Sequence, residues 1–335
     1  MPANTAPSLD VLFGGIMKRH GVTCTAEEFH RAVNVTFHEF ESQTYDSAHR
    51  DMWDSLPQQF SLLVEDWLRV SAKPPGEIHL LDIGCGTGLA SDSMIRTAVG
   101  GSIQSVTLLD TSPAMLRRAS QRAAGWRIPF RCHEGTVESC ASGTSRYQAI
   151  VTCSVLHHVP DLAAFLRAVR NLQADGGAFF HLQDPNGDYA GDPILRERMA
   201  QVAKPLPEWC YRFAPNRIVA RLVREWTGKQ GQDEVSQTNR ALLEKGIVSS
   251  PLSVQEMFSI TDIHVHDSQG ISIGSMKTWM PDYELVSQRS YGFFGQLGST
   301  LAPPYARQEQ DLIAARTPNG IHIGAAWQLR ANQAR

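Results

Sequence analysis

Long apolar runs are missing from this 335-residue chain; none approaches the roughly 20 residues that a membrane-spanning helix needs. Met1 to Asp10 lacks the basic-then-apolar layout of a secretion signal, so a cytoplasmic protein with no membrane span is expected. The six cysteines (Cys24, Cys85, Cys132, Cys140, Cys153 and Cys210) contain no CxxC pair. That argues against a disulfide framework or a structural zinc site, and for reduced thiols. An excess of one charge is lacking too. With a net charge of -3, the chain offers no electrostatic reason to expect a nucleic-acid partner. Internal repeats and low-complexity tracts are absent. The composition, 42% hydrophobic and 19% charged, suits a sizeable core, in one large α/β domain with elaborations or two modest ones.

Three regions follow from the pattern. Residues 8–72 read as helical, with Phe60, Leu63, Val64, Trp67 and Leu68 at three- and four-residue spacing on a segment following Pro57. Lys73-Pro74-Pro75-Gly76 then breaks the chain and opens a strand–helix alternation. Short apolar runs at Ile78–Ile83, Ser105–Leu109, Ile128–Cys132, Ala149–Cys153 and Ala178–Leu182 predict five strands. Helical stretches, including Pro113–Ala124 and Asp161–Leu172, separate most of them, which predicts a parallel sheet covered on both faces. After Asp184-Pro185 the alternation stops. Residues 190–246 read as mostly helical, Ile260–His266 as a strand, the stretch with Tyr283, Tyr291, Phe293 and Phe294 as helical, and Ile321–Leu329 as the last strand. The expected units are a helical N-terminal cap (1–75), a core (76–185) and a helical substrate cover with the last two strands (186–335). Aromatic-rich segments around 205–226 and 279–294 are expected to form that cover.

The strongest local signal is Leu80-Leu81-Asp82-Ile83-Gly84-Cys85-Gly86-Thr87-Gly88, a buried strand running into alternating glycines and then a helix. Such a loop lets a ligand approach the backbone, and the helix start offers unpaired N–H groups. A dinucleotide fingerprint needs G-x-G-x-x-G, but Leu89 stands where its third glycine belongs. Asp82 before the loop would repel a phosphate and suits a cationic ligand such as an amino group. One strand later, Asp110 ends Leu108-Leu109-Asp110, where an acidic residue can accept both hydroxyls of a ribose.

These motifs make the chain resemble the class I S-adenosylmethionine-dependent methyltransferases, particularly the small-molecule, ubiquinone/menaquinone-type group. The resemblance is carried by LLDIGCGTG at 80–88, LLDTSPAML at 108–116, YQAIVTCSVLHHVPD at 147–161 and NLQADGGAFFHLQDP at 171–185, about a third of the chain. It implies an α/β, Rossmann-like seven-stranded sheet flanked by helices, with a helical N-terminal cap and helical insertions. It also implies S-adenosyl-L-methionine as cofactor. Asp82 would help hold the methionine amino group. Gly84, Cys85 and Gly86 would border the methionine part, and Gly88 would allow close packing. Asp110 and Thr111 would lie at the ribose, Met115 near the adenine, and Ser154 beside the methionine portion. The family often places an acidic residue after the glycine that follows the third strand; here Gly135 leads into Thr136 and Val137, and Thr136 would make that adenine contact more weakly. Tyr45 matches an aromatic that often closes over the cofactor.

Methyl transfer from a sulfonium asks mainly for positioning, with a base where the acceptor's proton has a high pKa. His157 and His158 follow the fourth strand, at the carboxyl edge where ligands bind in open parallel sheets, and His157 is the candidate base. His264 and His266 lie two apart, but no third metal ligand is evident and no metal is expected. The expected function is methyl transfer to a small molecule, O-methylation first. Alternatives are N- or C-methylation, or a cyclase or scaffold that binds S-adenosylmethionine without methylating. A nucleic-acid amino-methyltransferase is disfavoured, since Ser154-Val155-Leu156-His157 replaces the Asp/Asn-Pro-Pro-Tyr/Phe signature. The sequence admits a homodimer without specifying one.

Overall fold

In the computed structural model the described residues are 8–71, 76–140, 146–202, 234–264 and 270–330. The N-terminal region forms α1 (Leu9–Arg19), α2 (Ala26–Glu41), α3 (Tyr45–Ala48) and α4 (Arg50–Val70). Thr25 starts α2 with a reciprocal cap: its side chain takes the Glu28 amide, and Glu28 returns a carboxylate to the Thr25 amide. Pro57 lies inside α4. The buried stripe Leu56, Phe60, Leu63, Val64 and Trp67 anchors that helix on the sheet across the missing N–H.

The core alternates as the sequence implies: β1 (Ile78–Ile83), α5 (Leu89–Ile95), β2 (Ile103–Asp110), α6 (Pro113–Ala123), β3 (Phe130–Glu134), α7 (Val137–Cys140), β4 (Tyr147–Cys153), α8 (Leu162–Leu172) and β5 (Gln173–Pro185). α9 (Pro193–Val202), β6 (Tyr283–Tyr291) and β7 (His322–Leu329) follow, with further helices at 234–244, Val254–Thr261, Ile273–Trp279 and Pro303–Ala314. The seven strands form one sheet in the order β3-β2-β1-β4-β5-β7-β6. The first five run parallel, and β7 lies antiparallel between β5 and β6. The order reverses between β1 and β4, which opens a crevice at their carboxyl ends.

Strand alternation gives the sheet two cores. Leu80 and Leu108 join the cluster under α4, α5 and α6, whereas Leu81, Ile83 and Leu109 join the one under α8 and Ile273–Trp279. A third cluster packs Phe13, Phe29, Val33 and Phe37 of α1–α2 against Leu242, Val248, Met257 and Ile260. The N-terminal helices and the later insertion therefore share one apolar core.

Two expectations fail. Ile260–His266 is not a strand: Ser253 and Glu256 form a second reciprocal cap, and the helix they start runs through Thr261 with Met257 and Ile260 buried one turn apart. Residues 265–269, including His266, lie outside the described residues. The stretch from Tyr283 is strand β6, not helix, and Tyr291, Phe293 and Phe294 are core rather than substrate cover. Polar side chains on the inward positions hide its period of two, because Ser287 and Arg289 point at the buried Asp66 of α4 (2.6 and 2.9 Å). The aromatic residues expected at 205–226 lie outside the described residues. Cys24, Cys85, Cys132, Cys140 and Cys153 are free thiols, and no described helix is long and apolar enough to cross a membrane.

Candidate functional site

The expected cofactor-binding positions converge on the carboxyl ends of β1, β2 and β4. At Gly84, φ is +64° and an added Cβ would meet Val155 Cγ2 at 2.6 Å. Gly86, at +52°, faces open space, so a side chain there would fill the cradle beside the loop. The Cys85 amide donates to the Leu109 carbonyl at 3.0 Å, which ties the loop to the end of β2, and Gly88 sits at the N-cap of α5.

Asp82 is fully buried. Its Oδ2 accepts from the Ser91 amide (3.0 Å) and hydroxyl (2.7 Å), so the start of α5 is engaged by this carboxylate rather than left wholly for a ligand. Oδ1 has no partner among the described residues. Burial pushes the Asp82 pKa up to about 7 against those two hydrogen bonds. Asp110 bridges two turns: Oδ2 accepts from the Gly86 amide and Oδ1 from the Ser112 amide, each at 2.8 Å. Burial raises its pKa as well, and the backbone donors oppose that rise.

A buried carboxylate oxygen lacking a donor, a cradle free of side chains and a second carboxylate one strand over fit an ammonium-bearing nucleoside. Around them, Met115 is buried and Thr111 exposed. Thr136 is exposed, its carbonyl accepting the Ser139 hydroxyl at 2.6 Å, and Val137 is buried behind it. Ser154 adopts φ +59°, unusual for a non-glycine residue, with its amide on the Leu182 carbonyl (2.9 Å).

The N-terminal cap closes this end. Tyr45 is half-buried at the start of α3, with its ring centroid 4.6 Å from that of His49. Burial pushes its pKa well above the usual value, reinforced by the charges of Glu41, Cys153 and Asp110. The next residue, Asp46, accepts from the Thr87 hydroxyl of the glycine loop (2.6 Å) and from Arg122 (2.5 Å). The Arg122 guanidinium lies 3.8 Å over the Trp53 ring. Nothing in the sequence singled out Asp46, a lone acid in a helical stretch.

Beyond β4 and β5 is a set of acid–base groups. His157 is buried in the 3-10 turn Leu156–His158; its Nδ1–H donates to Asp184 Oδ1 at 2.9 Å, and its amide reaches the same oxygen at 3.2 Å. Nε2 is left with its lone pair, 3.9 Å from Asp262 Oδ1. His158 donates through Nδ1 to the Thr261 carbonyl (2.7 Å) and lies 3.3 Å from Asp262. Burial holds its pKa well below the usual value, with His157 and His38 adding to the effect. His38 of α2 meets the His158 ring edge-on at 5.3 Å. Burial disfavours a charged His38, but its 2.8 Å bond to Glu41 together with the charges of Glu41, Asp110 and Asp262 outweighs that and raises its pKa.

His264 donates through Nε2 to the Val159 carbonyl at 2.8 Å. A third metal-ligand candidate, not evident in the sequence, does appear around the other histidines: ligand atoms of His157, His158 and Asp262 lie within 4.8 Å of one another. Both Nδ1 atoms are engaged by oxygen acceptors, and Asp262 Oδ1 lies within 4 Å of both rings, at 3.9 and 3.3 Å. Sequence reasoning missed Asp184 and Asp262. Asp184 had a signal, since it ends a strand as Asp82 and Asp110 do; Asp262 had none.

A family model described as methyltransferase domain matches residues 53–229. A ubiquinone biosynthesis O-methyltransferase of Xanthomonas axonopodis pv. citri (strain 306) is 29% identical over 188 residues, covering 54% of this chain and 76% of that protein. One of Methylobacterium sp. (strain 4-46) is 32% identical over 108 residues, 32% of this chain and 41% of that protein, so the chain spans about two fifths of that relative's length. Among solved structures, an S-adenosylmethionine dependent methyltransferase of Mesorhizobium loti aligns with a TM-score of 0.41 at 14% identity, over 78% of this chain and 95% of the other.

Proposed function

Because the chain belongs to the methyltransferase-domain family, as a class I S-adenosylmethionine-dependent methyltransferase, we propose that it methylates a hydroxyl group of a small molecule, with His157 as general base. The relatives named as ubiquinone biosynthesis O-methyltransferases support oxygen as the atom methylated. The observation that carries the assignment is the His157–Asp184 pair at the carboxyl edge, which fixes one imidazole tautomer and leaves a basic Nε2.

Asp82 would hold the ammonium of the methionine portion through Oδ1, and Asp110 the ribose hydroxyls, with Gly84, Cys85 and Gly86 beside the methionine portion, Gly88 in close packing and Thr111 at the ribose. Met115, Thr136 and Val137 would border the adenine; Ser154 and Tyr45 would flank and cover the methyl-bearing end. When bound, the donor supplies an electrophilic methyl on a sulfonium centre. His157 would take the acceptor's hydroxyl proton at Nε2 as the oxygen–carbon bond forms and the donor's sulfur–carbon bond breaks, its electron pair staying on the sulfur, and buried Asp184 would stabilise the resulting imidazolium. His158 stays neutral and keeps the adjacent ring from adding positive charge. Asp46 holds α3 against the glycine loop and so keeps Tyr45 over the crevice. A cytoplasmic location and a homodimer belong to the same reading; light scattering of the purified chain tests the second.

The test is turnover with methyl-labelled donor and a panel of phenols, amines and carbon acids. The expected result is label in a methoxyl group, identified by NMR of the product. Transfer to nitrogen or carbon alone would overturn the choice of atom, and donor binding without transfer to any acceptor would overturn the reaction.

A further inference from the structure

β5 carries a bulge at the point where it meets the site. Gln183 sits at φ +65°, a strained conformation for a non-glycine residue, and the β5–β7 register slips between His181 and Asp184. The bulge is held on both sides: the Gln183 amide donates to the Tyr291 hydroxyl at 2.8 Å, and the Ser154 amide to the Leu182 carbonyl at 2.9 Å. Residues three apart on a regular strand point to opposite faces. Here the irregular backbone brings them together, and His181 Nδ1 lies 3.9 Å from Asp184 Oδ2.

Both side chains are fully buried. Asp184 Oδ1 is occupied by His157, whereas Oδ2 and both ring nitrogens of His181 have no hydrogen-bond partner among the described residues. Burial pushes the His181 pKa down to about 4, against the pull of Asp184, so the ring is neutral and carries one N–H. Other titratable groups also face the carboxylate: Cys153 from β4, Tyr291 from β6, His322 from β7, and His264. Burial raises the pKa of Cys153 and Tyr291 well above their usual values, so neither offers a charge. His322, neutral for the same reason as His181, shares its Nε2 with Gln183 at 3.2 Å, and His264 is taken by Val159. Of these rings, His181 is the one with neither nitrogen engaged.

We propose that His181 is a positioning residue whose Nδ1–H faces the second oxygen of Asp184 and keeps that carboxylate charged and turned toward His157. At 3.9 Å the interaction is charge–dipole in kind. The inference rests on His157 as base. If the dipole at His181 is removed, the buried charge on Asp184 becomes more costly, and the carboxylate holds the His157 imidazole less firmly in its tautomer and orientation.

Replacing His181 by Leu is expected to lower kcat about tenfold with donor affinity unchanged. His181→Asn, which keeps an N–H near the Nδ1 position, is expected to restore kcat. A Leu variant with wild-type kcat overturns the inference. Should the Leu variant not fold, nitrogen-15 NMR of histidine-labelled wild type and Asp184→Asn decides. The expected result is a proton on His181 Nδ1 whose resonance moves in Asp184→Asn; a proton on Nε2, or an unmoved resonance, overturns the inference. Following the His157 ring in the same spectra separates the two readings. A His157 Nδ1 resonance that moves in His181→Leu while His157→Ala keeps full activity sinks the base assignment alone.

Discussion

Ser91 meets Asp82 twice on one oxygen, through its amide at 3.0 Å and its hydroxyl at 2.7 Å, and leaves the other oxygen without a partner among the described residues. One carboxylate thus does two jobs. Oδ2 ties β1 to the first turn of α5, and Oδ1 is the oxygen proposed to meet the ammonium of the donor.

The second job costs stability, with a definite sign. The Asp82 pKa is raised to about 7 in the folded chain, whereas an unfolded aspartate releases its proton near 4. Between those values the folded state holds the extra proton, so stability falls as pH rises from about 4 to about 7 and stays lower above that. Asp82→Asn removes this dependence. The stability of the variant relative to wild type, from calorimetric unfolding without donor, should be greater at pH 8.5 than at pH 5 by at most about 3 kcal/mol. An equal Tm difference at both pH values would show that Asp82 does not titrate there.

Asp110 is the residue on which donor affinity should depend most. Its oxygens already take two backbone amides, which fix the carboxylate at the end of β2. Asp110→Ala would lose the proposed ribose acceptor and free the Gly86 amide at once. Donor binding by calorimetry is expected to weaken about 100-fold or more, from two charge-assisted hydrogen bonds. Unchanged affinity would contradict the ribose assignment.

The sheet was legible in the sequence because its period is short and its punctuation strong: β1 runs from Ile78 to Ile83 as read, and α6 starts at Pro113. Gly84, Gly86 and Asp110 were legible for a related reason, since backbone geometry demands those residue types in that order. What escaped was whatever depends on tertiary partners. β6 looked aperiodic because its inward residues serve Asp66, 221 and 223 positions away in sequence. Asp184 needed the bulge at Gln183 to reach His157, and Asp262 arrives from an insertion whose core is shared with α1 and α2.

Asp66 supports a stability prediction that leaves the chemistry alone. It is buried and accepts from Ser287, Arg289 and Arg316 at 2.6–2.9 Å, joining α4 to β6 and to the turn before β7. Arg289 is itself buried, so Asp66→Ala strands a charge. Thermal or urea unfolding should show a loss of about 3–5 kcal/mol, with donor affinity within about twofold of wild type below the transition. A loss under 1 kcal/mol would mean that solvent reaches Arg289 in the variant.

His157 and Asp184 make the sharpest kinetic prediction, because one can be altered while the other's atoms are nearly preserved. Asp184→Asn changes only charge and donor pattern. Its amide can donate to Nδ1, which drives the His157 proton to Nε2 and turns the base into a donor facing the acceptor. His157→Ala removes the base outright. Both variants are expected to lower kcat about 100- to 10,000-fold while donor affinity stays within about threefold, since neither side chain holds the cofactor loop. The double variant should be no slower than the worse single one, because the two residues act as a unit. Parallel single-turnover rates and donor titrations read this directly. If the losses of the two single variants multiplied, or if Asp184→Asn kept wild-type turnover, the carboxylate would have no part in setting the imidazole tautomer.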